Sequence, residues 1–158
     1  MKLLGFLEPD TIIPSLSAHT AEEVVRELVE AVVASGGIAE GNKGPVIEAV
    51  LDRERQGSTG IGGGIALPHT KECPFVEETV GAFGRSESGV QFGAVDGSAV
   101  HLFFMIISPK GSNDPPRVLK KLAQFSREDH FIRFLKDSKT QPDIIAVIEE
   151  MAHPESQD

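Results

Sequence analysis

The segment from Asp52 to His69, Asp-Arg-Glu-Arg-Gln-Gly-Ser-Thr-Gly-Ile-Gly-Gly-Gly-Ile-Ala-Leu-Pro-His, gathers the side chains best suited to chemistry. A histidine titrating near pH ~6.5 offers a neutral ring nitrogen that can attack phosphorus and leave it again. The incoming phosphoryl group carries about −1.5 to −2 charge if the phosphoester value is a guide, so it needs donors around it. Arg53 can supply a two-pronged fork, Ser58 and Thr59 hydroxyls, and the loop running through Gly60 to Gly64 its backbone N–H groups. Pro68 stiffens the chain just before His69. These ingredients suit phosphoryl transfer at His69, with Arg53, Ser58, Thr59 and Gly60 binding phosphate.

Competing chemistries fit less well. Gly60-Ile61-Gly62 has Ile65 where a dinucleotide fingerprint requires its third glycine, and the loop follows a helix and precedes a strand, the reverse of the order that motif needs. No Gly-Lys-Ser/Thr completes a P-loop. His19, His69, His101, His130 and His153 are too scattered for the short ligand spacings of a zinc site, so neither a metal nor a cofactor is expected. Cys73 is the lone cysteine, which excludes a disulfide framework and fits a reducing compartment.

The elements that must position His69 can be read from spacing. Thr20-Ala21-Glu22-Glu23 is a capping box, and Val25, Leu28, Val29, Val32 and Val33 follow at helical spacing up to Gly36-Gly37. A second helix is predicted from about Pro45 to near Gly57. Gly57 to Gly64 reads as a loop, too rich in glycine for helix or central strand. Short strands are expected at Ile65 to Leu67, with His69 just past the end, at Val80 to Phe83 and at Val90 to Phe92. Val100 to Ile107 reads as a strand buried on both faces. Asn113 or Asp114 can cap a helix starting near Pro116, and Thr140-Gln141-Pro142-Asp143 opens the last helix. The expected fold is one α/β or α+β domain over residues 1–152, with helices covering a mixed sheet, and a frayed polar tail over 153–158.

Composition limits the partners. The 158 residues carry 15 Lys and Arg against 24 Asp and Glu, a formal net charge of −9, which argues against general nucleic-acid binding. With no Trp and no Tyr, an aromatic platform for single strands is not expected either. The apolar runs fall far short of the ~20 residues of a membrane helix, so no membrane insertion is expected and the protein reads as cytoplasmic.

The string Arg53-Glu54-x-x-x-Ser58-Thr59-Gly60-Ile61-Gly-x-Gly64-Ile65-Ala66-Leu67-Pro68-His69 resembles the active-site signature of enzyme IIA proteins of the bacterial phosphotransferase system, of the fructose/mannitol class. Its Ser-Thr-Gly-Ile-Gly wording resembles the nitrogen-regulatory branch of that class. The resemblance extends over nearly the whole chain and implies a mixed, about five-stranded sheet with helices on both faces. It implies that His69 takes a phosphoryl group, on Nε2, from an HPr-like phosphocarrier and passes it to a IIB domain or holds it as a signal to a regulatory target protein. Arg53 matches the arginine that the family places beside its active histidine. A signalling role is expected over sugar uptake, since the 158 residues contain no IIB or IIC segment. The sequence departs from the family at Pro115-Pro116, where a second histidine commonly stands. His101 or Arg117 are the candidates to replace it, and the alternative reading is a degenerate, unphosphorylated protein-binding module.

Overall fold

The computed structural model describes residues 5–112 and 114–152, so that the tail at 153–158 and the cap candidate Asn113 lie outside the described residues. Among the described residues a mixed six-stranded sheet is covered by five helices. Its strands are β1 (Ile12–Ile13), β2 (Gly60–Gly62), β3 (Ile65–Ala66), β4 (His69–Thr70), β5 (Val80–Val90) and β6 (Val100–Ile107). Five of them run in the order β1-β5-β6-β3-β2, and β4 continues alongside β6 beyond the end of β3. The sheet thus has one more strand than the resemblance implied, with the candidate histidine and Thr70 pairing with the central strand.

β6 is the axis of the molecule. It pairs antiparallel with β5 and parallel with both β3 and β4. Side chains along a strand alternate between faces. Phe103, Met105 and Ile107 therefore join one core with α1 (Ala21–Ala34) and α2 (Lys43–Arg55), while Leu102, Phe104 and Ile106 join another with α3 (Asp114–Phe125), α4 (Asp129–Asp137) and α5 (Gln141–Ala152). Burial on both faces explains the unbroken apolar run, Leu102 to Ile107 being at most 1% exposed. Across the β5–β6 pair, the Phe83 and Phe104 rings meet edge to face with centroids 4.8 Å apart.

The helix starts are written in the sequence. Thr20 Oγ1 accepts the Glu23 N–H at 3.2 Å, and the Glu23 carboxylate returns to the Thr20 N–H at 3.1 Å, closing the capping box that opens α1. At α5 the Thr140 hydroxyl accepts the Asp143 N–H at 3.3 Å. α2 begins two residues before Pro45, since a short 3-10 turn at Glu40–Asn42 runs straight into it.

Other boundaries differ from the sequence reading. The glycine loop contains strand β2, whose Gly60 and Gly62 pair antiparallel with Ala66 and Ile65. Gly63 and Gly64 form the two-residue turn at φ of 69° and 84°, the left-handed values that a tight hairpin requires at both positions. The strand expected at Val80 to Phe83 extends to Val90, and of the one expected at Val90 to Phe92 only Val90 is strand, at the end of β5. A register shift between Arg85 and Val90 interrupts its ladder, and Gly89 there takes φ 85°.

Candidate active site

His69 sits in β4, level with Ile106 of the central strand, rather than just past a strand end. Pro68 cannot donate a backbone hydrogen bond, but its carbonyl accepts the Ile106 N–H at 3.0 Å and so docks the His69 segment onto β6. The His69 ring is half-buried, and its Nδ1 lies 2.7 Å from the Leu67 carbonyl oxygen. A carbonyl can only accept, so Nδ1 carries the proton and Nε2 keeps the lone pair. Nε2 has no hydrogen-bond partner among the described residues.

Burial is the main influence that pushes the His69 imidazole below its ordinary pKa of 6.5. The Leu67 hydrogen bond opposes that shift, the Arg53 charge adds to it, Glu54 opposes it and Lys71 adds to it. The ring is therefore held neutral at neutral pH, with its basic nitrogen free.

A cleft of about 570 Å³ opens beside it, between α2, β4 and the start of α3. Arg53 and Gln56 line it from α2, His69 and Lys71 from β4 and the turn after it, and Pro116 and Leu119 from α3. Arg53 Nη1 donates to the Gly57 carbonyl at 2.8 Å, which holds the guanidinium against the end of its own helix. Lys71 is exposed, and Glu72 next to it takes φ 55° where the chain turns away. Arg55, although close in sequence, pairs instead with Asp52 and with Glu48 at 3.7 Å.

Of the phosphate-binding candidates, Arg53 is brought to His69, and Ser58, Thr59 and Gly60 do not line the cleft. Their polar groups hold the loop together. Ser58 Oγ donates to the Phe92 carbonyl at 2.5 Å and accepts the Gly60 N–H at 3.0 Å. Thr59, 5% exposed, gives both its N–H and its hydroxyl to the Glu54 carboxylate, each at 2.7 Å.

His101 does not stand beside His69. It lies at the other end of β6, five residues from Ile106, or roughly 17 Å at ~3.3 Å per residue. There its Nδ1 donates to the Ser86 carbonyl at 2.9 Å, inside the register shift of β5. The sequence could not separate these two histidines by distance, because the topology that lays β4 against the far end of β6 has no local signature. The sequence reading missed Glu54 as a structural partner of the loop and Leu119 as a wall of the cleft. The i, i+3 step from Pro116 to Leu119, which puts both on one helix face, was the available signal for the latter.

The chain that carries this site has relatives among known proteins. Residues 5–151 match the family described as phosphoenolpyruvate-dependent sugar phosphotransferase system, EIIA 2, and the chain belongs to that family. It is 29% identical over 149 residues to a nitrogen regulatory protein of Bradyrhizobium diazoefficiens, covering 94% of this chain and 95% of that one. It is 33% identical over 149 residues to the fructose-specific EIIABC component of Bacillus subtilis, covering 94% of this chain and 23% of that longer protein. The crystal structure of the nitrogen regulatory protein IIA-Ntr from Neisseria meningitidis superimposes with a TM-score of 0.82 at 26% identity, covering 90% of this chain and 96% of that one. No helix of the described residues is long and apolar enough to cross a membrane.

Proposed function

We propose that this chain is a cytoplasmic phosphohistidine carrier of the phosphotransferase system, with His69 as the residue that is transiently phosphorylated. The observation that carries the reading is the pairing of a Leu67-bound Nδ1 with a free Nε2 in a cleft that Arg53 lines. The Nε2 lone pair attacks the phosphorus of an HPr-like donor's phosphohistidine, the donor's P–N bond breaks as the new one forms, and the donor imidazole, which carries its own proton on its other nitrogen, departs neutral. No proton changes hands, because Nδ1 of His69 keeps its own throughout. Arg53, with Lys71 at the rim, offsets the charge of the transferring group. Ser58, Thr59 and Gly60 contribute by shaping the loop.

From His69 the phosphoryl group passes to a IIB domain or remains as a signal to a regulatory target. The likeness to nitrogen regulatory proteins over nearly their full length supports the regulatory role. Incubation with enzyme I, HPr and phosphoenolpyruvate tests the reading. Acid-labile phosphate is expected on the wild type and none on His69→Ala; an unlabelled wild type, or a labelled variant, overturns it. Pull-downs with the two forms then separate the roles, since a signalling protein changes partners on phosphorylation.

A further inference from the structure

Glu54 does not line the cleft, yet hydrogen bonds link it to His69. Three consecutive connections run from it to the acceptor ring. Its carboxylate takes the Thr59 N–H and the Thr59 hydroxyl, each at 2.7 Å. The Thr59 carbonyl takes the Leu67 N–H at 3.0 Å, and the Leu67 carbonyl takes the His69 Nδ1–H at 2.7 Å.

Thr59 and Leu67 lie just outside the β2–β3 pairing, at the open end of the glycine hairpin. The pair is not closed, because the Leu67 carbonyl that would take the Thr59 N–H is engaged by His69 Nδ1 instead. A strand end left in this way would fray at Thr59, the residue that fixes Leu67. Glu54 prevents that by acting as the next pairing partner, projecting from the last turn of α2 with one oxygen for the backbone and one for the side chain. Thr59 and Leu67 are each 5% exposed, so water competes little for these bonds.

We propose that Glu54 is a positioning residue for phosphoryl acceptance, fixing through Thr59 and Leu67 the ring orientation and tautomer that leave Nε2 of His69 free to attack. The proposal rests on His69 being the acceptor. It assigns the glutamate of the Arg53-Glu54 pair a task separate from that of the arginine, in that Arg53 faces the anion while Glu54 holds the nucleophile.

The test uses the full chain with ¹⁵N-labelled histidine. Nitrogen-15 NMR of the unphosphorylated protein reads the His69 tautomer directly, independently of any transfer. Wild type should show a protonated Nδ1 and a bare Nε2. Glu54→Ala should give a mixed tautomer and a phosphorylation rate lower by about 10- to 100-fold, the range expected when a reacting group is displaced by about 1 Å. Glu54→Gln can still accept the Thr59 N–H and donate to its hydroxyl, so it should restore the wild-type tautomer and most of the rate. Thr59→Val should fall between them, and Thr59→Ser should match the wild type. A folded Glu54→Ala protein, checked by its unfolding midpoint, that keeps both the tautomer and the rate overturns the proposal. So does a Gln variant no better than Ala. If wild type accepts no phosphate from HPr, the acceptor reading fails, whereas the NMR arms still decide whether Glu54 sets the ring.

Discussion

His69 donates its Nδ1 proton to the carbonyl of Leu67, two residues earlier in its own chain, at 2.7 Å. A histidine that is itself the nucleophile needs one nitrogen committed and the other bare, and this bond provides both without recruiting a second side chain. The fold's contribution is to keep Leu67 in place and the ring half-buried.

The depressed pKa of His69 gives the first prediction. Between the ordinary 6.5 and its lowered folded value, the unfolded chain binds the proton that the native ring refuses. The stabilising contribution is therefore fully present above pH 6.5 and is lost as pH falls from there toward the folded pKa. Unfolding measured in urea across that range should show wild type losing stability relative to His69→Gln as acidity increases. Phosphoryl acceptance should be level above pH 6.5 and decline only at more acid pH. A midpoint above 6.5 would contradict the burial argument.

Arg53 makes a second test because its charge and its shape act separately. Arg53→Gln removes a positive charge that holds the His69 pKa down, so the ring should titrate at higher pH by NMR. Arg53→Lys keeps the charge but loses the planar fork and its 2.8 Å bond to Gly57, so the titration should stay near wild type. Both should slow phosphorylation, the Gln variant by about 100-fold, as for loss of one preorganised donor to a developing anion. Equal titration curves in the two variants would mean that Arg53 does not sense the ring.

The separation of His101 from His69 yields a third. His101→Ala should leave the phosphorylation rate unchanged, because the residue sits at the opposite end of β6. Loss of the Nδ1 bond to Ser86 should lower stability by about 1 kcal/mol. A marked fall in rate in the properly folded variant would show that the two ends of the strand communicate.

How much of this was legible depended on whether each signal was local. Thr20 and Glu23 make their reciprocal bonds within one helical turn, so their types and spacing sufficed. The run from Val100 to Ile107 announced a strand buried on both faces because it has no polar face to alternate with. The motif around His69 likewise pointed to Arg53, and the two line one cleft. Long-range pairings left no such trace. β1 is two residues long, too short to show a period, and exists because Ile12 and Ile13 meet Phe83 and Gly84 from far along the chain. Ser58 and Thr59 looked like free hydroxyls, since nothing in their spacing says that Phe92 and Glu54 would take them. α4 was missed, although Phe131, Ile132 and Leu135 recur at helical spacing.

Arg85 carries the last prediction, and it too was invisible until the chain was folded. Only 5% exposed, it joins three distant segments. Its Nε donates to the Lys136 carbonyl at the end of α4 at 2.8 Å, its Nη1 to the Pro14 carbonyl at 3.2 Å, and its Nη2 to the Glu87 carboxylate at 2.5 Å. Glu87 is exposed and can turn to water if the guanidinium is lost, but the two carbonyls cannot easily do so. Arg85→Met keeps the apolar stem and fills similar space, so the expected cost is that of two unpaired carbonyls, about 2–4 kcal/mol. Urea unfolding should show the lower midpoint with an unchanged slope. Phosphorylation should persist in the folded fraction, since Arg85 pairs with Leu102, four residues along β6 from the level of His69. A midpoint equal to wild type would mean that water replaces all three bonds, and that the clasp between β5, α4 and the N-terminal segment carries no stability of its own.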